Sequence, residues 1–106
     1  MAEQLTFEKL AKEIVSNLNY SSEVDYEGGN INFINNGVSL FLNYDFDGIK
    51  VHIIARDSSS KIICRKEILV NRETIKKIIN YLDKLIILVE NINWDFERLE
   101  KLNDEY

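Results

Sequence analysis

The sequence contains one cysteine, one histidine and no proline, and each scarcity excludes a class of protein. A single cysteine cannot form an internal disulfide or a multi-cysteine metal site, and a single histidine excludes a multi-histidine site. The absence of proline argues against a proline-rich recognition segment. No apolar run approaches the ~18 residues that a membrane span needs. We therefore expect no disulfide framework, no metal centre and no membrane partner.

The composition indicates one folded domain. The chain has 106 residues, of which 45% are hydrophobic and 29% are charged, so we expect a single domain over residues 1–106. Its 13 basic and 18 acidic residues give a net charge of −5. This charge excludes a generally basic nucleic-acid binder but leaves room for a local basic patch. The first ten residues, MAEQLTFEKL, lack an apolar core, so we expect no secretory signal and a cytoplasmic protein.

Apolar periodicity divides the chain into three zones. Residues 3–18 carry apolar side chains at helical spacing, from Phe7 to Leu18, and predict a helix. Residues 22–69 contain all four glycines and most of the alternating segments, so they predict strands. Residues 71–102 contain neither glycine nor proline and predict a long helix with Asn71 as its N-cap. The sequence therefore predicts an α+β protein.

Turn signals set the register of the strand zone. We place two-residue loops at 28–29 and 36–37 and four-residue loops at 45–48 and 57–60, since Asn-Gly and Gly-Gly are typical of hairpins. The strands then form a five-stranded antiparallel meander with one apolar face, and we expect both helices to lie on that face. The apolar face collects Val24, Tyr26, Ile31, Phe33, Val38, Leu40, Leu42, Tyr44, Ile49, Val51, Ile53, Ala55, Ile62, Cys64 and Ile68. Lys66 is an exception on this face, and two explanations stay open: snorkelling from a sheet edge, or a bulge that shifts the register.

The opposite face of the predicted sheet is polar and graded in charge. The first strand contributes an acidic edge, formed by Glu23, Asp25 and Glu27. The later strands contribute a basic half that contains one aromatic ring. Its candidate binding residues are Phe41, Lys50, His52, Arg56, Lys61 and Arg65. Because aromatic and cationic sheet faces bind single-stranded nucleic acid by stacking and phosphate contacts, this basic half is a candidate ligand surface.

The long predicted helix has more apolar surface than one sheet can cover. If it is continuous, 71–102 spans roughly 48 Å, whereas eight-residue strands span roughly 26 Å. A second apolar stripe lies away from the core-facing side of the helix, and its members are Tyr81, Ile87, Leu88 and Trp94. Either this stripe packs against another chain, most simply in a homodimer, or the helix breaks near 91–93 and folds back with Asn93 as a cap. Burial of the stripe against helix 3–18 is a third alternative.

The sequence contains no recognisable catalytic arrangement. Cys64 and His52 lie on adjacent predicted strands but on opposite faces, so they cannot form a nucleophile–base dyad, and we expect Cys64 to be buried. Asp45 and Asp47 flank a turn and supply too few ligands for a calcium site. We therefore expect no catalytic residue, no metal ligand and no cofactor.

These observations favour a small acidic, non-enzymatic protein that docks on a protein partner. It would act as an inhibitor or an adaptor, and proteins of the phage or mobile-element type are among the classes left open. The alternative is a nucleic-acid or nucleotide binder that uses the basic half of the open sheet face. The net charge of −5 weighs against that alternative.

Overall fold

The computed structural model describes residues 6–33, 38–45, 48–57, 59–90 and 95–106, with 38–45 and 48 described by their backbone alone. The elements in chain order are α1 (Phe7–Ser16), β1 (Ser22–Asp25), β2 (Asn30–Phe33), β3 (Val38–Asp45), β4 (Gly48–Arg56), β5 (Ile62–Leu69), α2 (Ile75–Glu90) and α3 (Phe96–Glu105). The α+β class is confirmed, as are the helix before the strands and the helical region after them.

Helix α1 begins at a polar cap. Thr6 has extended backbone angles, and its hydroxyl accepts a hydrogen bond from the amide of Lys9 at 3.3 Å. The cap satisfies one of the amide groups that the first turn of a helix leaves without a partner. Four residues of α1 are buried, at helical spacing: Phe7, Leu10, Ala11 and Ile14. This is the apolar side that the sequence predicts.

Neighbouring strands pair antiparallel in the order β1-β2-β3-β4-β5. The pairing of β3 with β4 has the predicted register, with Tyr44 opposite Ile49. The β1–β2 register differs by two residues, because β1 ends at Asp25, which pairs with Asn30. The carboxylate of Asp25 accepts the amides of Glu27 and Gly28, so a four-residue turn replaces the predicted two-residue loop. A shift of two residues keeps every side chain on its predicted face.

The β2–β3 pairing is shifted in the same sense, with Phe33 opposite Val38, and the predicted turn at 36–37 lies outside the described residues. The β4–β5 pairing contains an irregularity between Ala55 and Arg56: Ala55 pairs with Cys64, whereas Arg56 pairs with Ile62. Such a bulge adds one residue to one strand. From Ala55 back to Lys50, the β4–β5 pairing differs from the predicted register by two residues, because Ala55 pairs with Cys64 instead of Ile62. This even shift keeps the side chains on their predicted faces.

The apolar face of the sheet and the three helices form one core. Its strand members are Ile31, Phe33, Val51, Ile53, Ala55, Cys64 and Ile68, all of them predicted for this face. Helix α2 supplies six buried residues: Ile75, Ile78, Tyr81, Leu82, Leu85 and Ile86. Helix α3 supplies two, Leu99 and Leu102. Tyr26, predicted for the apolar face, is 54% exposed because it lies beyond the end of β1.

Of the two forms predicted for the helical region 71–102, the continuous helix is not observed, and the chain forms two helices instead. Helix α2 ends at Glu90, and α3 begins at Phe96 and packs against α2 and β5. Asp95 has extended backbone angles, and its carboxylate caps α3 by accepting the amide of Arg98 at 2.8 Å. Asn93, the predicted cap, lies outside the described residues. Asn71 accepts the amides of Glu73 and Thr74 and so caps a turn that precedes α2.

A stability measurement on a variant of Asp95 distinguishes two separate helices from one continuous helix. Asp95→Ala should lower the free energy of unfolding by about 0.5–2 kcal/mol, because an N-cap is lost. In a continuous helix the same change would be neutral or stabilising, because alanine is the best helix former. Denaturant unfolding followed by far-ultraviolet circular dichroism measures the difference. Asp104→Ala, which removes an exposed carboxylate from the last turn of α3, is the control and should be neutral or slightly stabilising.

Candidate functional site

An open apolar groove lies between α2 and α3, and we call it the α2–α3 groove. It is a cavity of about 300 Å³ lined by Lys84, Ile87 and Leu88 of α2 and by Arg98 and Leu102 of α3. The α2 residues share one side of their helix because they are three and four positions apart, and Arg98 and Leu102 are likewise four apart. Ile87 is 56% exposed, whereas Leu88 is half-buried and Leu102 is buried. The groove therefore combines a covered apolar floor with an exposed apolar rim.

The two cations of the groove have acidic neighbours on or beside α3. Lys84 Nζ lies 3.1 Å from Glu105 Oε1 and 5.1 Å from the ring centroid of Tyr106. The hydrogen bond to Tyr106, and then the one to Glu105, raises the pKa of Lys84, so its ammonium group stays charged. Arg98 Nε lies 3.8 Å from Asp95 Oδ2. Because these pairs are exposed, they add little stability, but they hold the cations at the rim of the groove.

A polar cluster joins α3 to the core, and we call it the Asn103 cluster: Cys64, Lys66, Tyr81 and Asn103. Lys66 Nζ donates to the backbone oxygen of Asn103 at 2.7 Å. The side-chain oxygen of Asn103 accepts from the hydroxyl of Tyr81, and its amide donates to Cys64 Sγ at 3.4 Å. One residue of α3 thus contacts two residues of β5 and one of α2.

The Asn103 cluster explains why Lys66 occupies the apolar face. Lys66 pairs with the buried Ile53 and is half-buried, so its predicted face is correct. Its ammonium group reaches a carbonyl in the last turn of α3, where a helix has unpaired carbonyl oxygens and partial negative charge. Lys66 thus lies on the edge strand β5, as one of the two explanations expected, and its ammonium group reaches α3, whereas the bulge at Ala55/Arg56 does not involve it.

Tyr81 was predicted for the outward stripe, and the structure places it in the core instead. Its side chain is fully buried, and its ring packs edge-on against Tyr106 with 5.6 Å between centroids. Burial, followed by the hydrogen bond with Cys64, raises the pKa of Tyr81 well above its usual value. Helix α3 covers this position by folding back, so Tyr81 is not available to a partner. Of the other stripe residues, Ile87 and Leu88 line the groove, and Trp94 lies outside the described residues.

The basic half of the open sheet face is partly neutralised by Glu67. Lys50 Nζ lies 3.2 Å from Glu67 Oε1, and His52 Nε2 lies 3.6 Å from Glu67 Oε2. Arg65 and Glu67 also line a shallow cleft of about 330 Å³ beside His52. The predicted residues Arg56, Lys61 and Arg65 are exposed, and Phe41 pairs with His52 but is described by its backbone alone. This face is less basic than its predicted cations suggest.

The acidic edge is also less uniform than predicted. Glu23 lies on β1 and is exposed, whereas Asp25 uses its carboxylate to cap the β1–β2 turn. Glu27 belongs to that turn and not to the strand. The three acidic residues therefore do not form one row on a strand face, because the turn begins two residues earlier than the sequence indicates.

Sequence reasoning missed a polar cleft between the end of α1 and the middle of α2. This cleft has a volume of about 330 Å³, and its lining includes Asn17, Asn19, Tyr20, Asn80 and Asp83. The hydroxyl of Tyr20 donates to Asp83 Oδ1 at 2.9 Å. Burial, and then this hydrogen bond, raises the pKa of Tyr20. No spacing rule links Tyr20 to Asp83, so only the packing of α1 on α2 brings them together.

The predicted separation of Cys64 and His52 holds in the structure. Cys64 is buried and pairs with Ala55 on the covered face, whereas His52 pairs with Glu67 on the other face. Within the described ranges, no three His, Cys, Asp or Glu side chains are grouped so that they could hold a metal ion. Cys64 and His52 thus do not form a nucleophile–base pair.

The buried hydroxyl of Tyr81 makes stability depend on pH in the alkaline range. A tyrosine of the unfolded chain ionises near pH 10, whereas native Tyr81 keeps its proton beyond that pH. The unfolded state therefore loses protons first, and the free energy of unfolding falls as the pH rises through about 10. Tyr81→Phe should make this decline shallower and should lower the free energy of unfolding at pH 7 by about 1 kcal/mol.

Denaturant unfolding at several pH values measures both effects. Tyr26→Phe, which removes an exposed hydroxyl, is the control and should change the free energy at pH 7 by less than about 0.5 kcal/mol. Identical pH slopes for the wild type and Tyr81→Phe would show that burial of Tyr81 does not control the alkaline transition.

Comparisons with known proteins found no similar protein. No protein-family model matches the chain, and neither a curated protein nor a solved structure is significantly similar to it. Among the helices that the structure describes, none has the length and apolar character needed to cross a membrane.

Proposed function

We propose that the chain is a non-enzymatic protein-interaction module that docks on a protein partner through the α2–α3 groove, as an inhibitor or an adaptor. The observation that carries the proposal is the exposed Ile87 at the rim of a groove whose floor is Leu88 and Leu102. A large apolar side chain beside an open apolar groove is typical of a surface that a partner covers. Covering Ile87 would remove apolar area from water and favour association.

The groove suits an anchor side chain of a protein better than a small metabolite. Its volume of about 300 Å³ lies at the lower limit of small-molecule sites, which span about 300–1,000 Å³. It offers Lys84 and Arg98 at the rim and apolar carbon elsewhere, which is the usual arrangement of an interface with an apolar centre and a polar border. A protruding apolar side chain of the partner would fill the floor and contact Ile87.

The charge of the chain favours a partner with a basic surface. The net charge is −5, and α3 carries more acidic than basic residues. Its acidic members are Glu97, Glu100, Asp104 and Glu105, and its basic members are Arg98 and Lys101. Complementary charge around an apolar contact accelerates docking and excludes wrong partners. An acidic inhibitor of this kind would occupy a basic surface evolved for an anion.

A homodimer is the simplest complex in which the groove is covered, because the same patch can serve both copies across a twofold axis. The nucleic-acid alternative has less support. Glu67 already pairs with Lys50 and His52, so the proposed phosphate-binding face would have to release these contacts. Cytoplasmic location remains part of the proposal, since a single buried cysteine suits a reducing compartment.

Ile87→Asp tests the groove directly. A carboxylate placed in the apolar contact should weaken docking by more than about a hundredfold, because covering it removes its hydration. Because Ile87 is exposed in the free chain, the variant should fold normally. Size-exclusion chromatography with light scattering, read at 260 and 280 nm, gives the mass and any bound nucleic acid. Partner capture by tagged wild-type and variant chains is then compared quantitatively.

Ser59→Asp is the matched control, because it adds the same charge at an exposed position in the turn between β4 and β5. The proposal expects loss of dimer mass or of a captured protein in Ile87→Asp and not in Ser59→Asp. Equal masses and equal capture in all three chains would remove the groove as a docking surface. A monomer that carries nucleic acid would support the sheet-face alternative instead.

A further inference from the structure

Helix α3 is attached to the rest of the core by few apolar contacts. It buries Leu99 and Leu102, whereas α1 buries four residues and α2 buries six. A helix of ten residues is shorter than the ~12–15 residues at which an isolated helix becomes marginally stable, so α3 depends on its packing. Its ion pair with Lys84 is exposed and adds little. The Tyr106 ring, directly after α3, adds a contact with Tyr81, and the Asn103 cluster supplies the hydrogen bonds that join α3 to α2 and β5.

Asn103 concentrates that attachment in one residue. Its backbone oxygen binds Lys66, its side-chain oxygen binds Tyr81, and its side-chain amide binds Cys64. On opening, Lys66, Tyr81 and Asn103 could exchange these hydrogen bonds for bonds to water, so the polar part of the attachment is largely recovered. The apolar contacts among α1, α2 and the sheet have no such replacement. Local opening of α3 should thus require less free energy than global unfolding.

We propose that α3 is a releasable strap latched by Asn103, which opens as a unit while α1, the sheet and α2 stay folded. Opening would disrupt the α2–α3 groove, because Arg98 at its rim and Leu102 in its floor belong to α3. A partner that contacts both α2 and α3 in the groove would hold α3 closed. Any change that favours the closed state would in turn raise the affinity for that partner. This regulatory consequence rests on the proposed function, whereas the opening itself does not.

Cys64 reports the opening, because it is the single cysteine and is buried next to Asn103. The experiment measures alkylation of Cys64 by iodoacetamide in the full chain at constant pH, with urea increased up to the unfolding transition. Opening of α3 exposes less surface than global unfolding, so the labelling rate at low urea should depend less steeply on urea. Near the unfolding transition, the labelling rate should rise with urea as steeply as global unfolding does. Asn103→Ala should raise the rate at low urea about tenfold.

Asp104→Ala is the matched control, because it alters an exposed neighbour in the same helix and should change the rate less than about twofold. Equal effects of the two variants would overturn the latch. If the labelling rate follows global unfolding at every urea concentration, α3 does not open separately and the strap proposal is wrong. If Asn103→Ala does not fold, amide hydrogen exchange in the wild type decides: α3 amides should open with a lower free energy than those of α2. Labelling needs no partner, so its failure would leave the docking proposal intact.

Discussion

The hydrogen bond from Lys66 Nζ to the backbone oxygen of Asn103 links the helical and the strand parts of this protein. It puts a cation on the covered face of a sheet, where burial without a partner would be costly. The last turn of α3 supplies that partner: the backbone oxygen of Asn103 accepts both the amide of Tyr106 and the ammonium group of Lys66. Lys66 thus has its acceptor within the fold while α3 is closed, and α3 gains a polar attachment in addition to its two buried leucines.

The position of α3 determines which part of the apolar surface of α2 stays exposed. Tyr81 is enclosed by the Asn103 cluster and by the ring of Tyr106, so it belongs to the core. Ile87, about one and a half turns further along α2, stays on the outside and becomes the rim of a groove. The fold-back and the exposed stripe are thus not alternatives, because a single short helix covers one part of the stripe and leaves the other part accessible.

The sequence predicted the faces of the sheet better than its registers. The predicted β1–β2 and β2–β3 pairings differ from the observed ones by two residues, yet Ile31 and Phe33 are buried as predicted. The reason is that side chains alternate with a period of two, so an even shift leaves faces unchanged. The Asn103 cluster could not be predicted, because it needs the position of α3 relative to β5. Lys66, a cation on an apolar face, was the visible signal of a missing acceptor.

The comparison between the sheet face and the groove also decides which surface is the better binding candidate. On the sheet face, Glu67 pairs with the half-buried Lys50 and lies beside His52, so part of the positive charge of that face is balanced within the chain. In the groove, Lys84 and Arg98 are balanced in the same way by residues on or beside α3. What differs is the apolar setting: the exposed Ile87 adjoins Leu88 and the buried Leu102, whereas the exposed Leu69 of the sheet face pairs with Lys50. Charge can be satisfied by solvent or by a neighbouring side chain, whereas exposed apolar area is removed from water only by a covering surface.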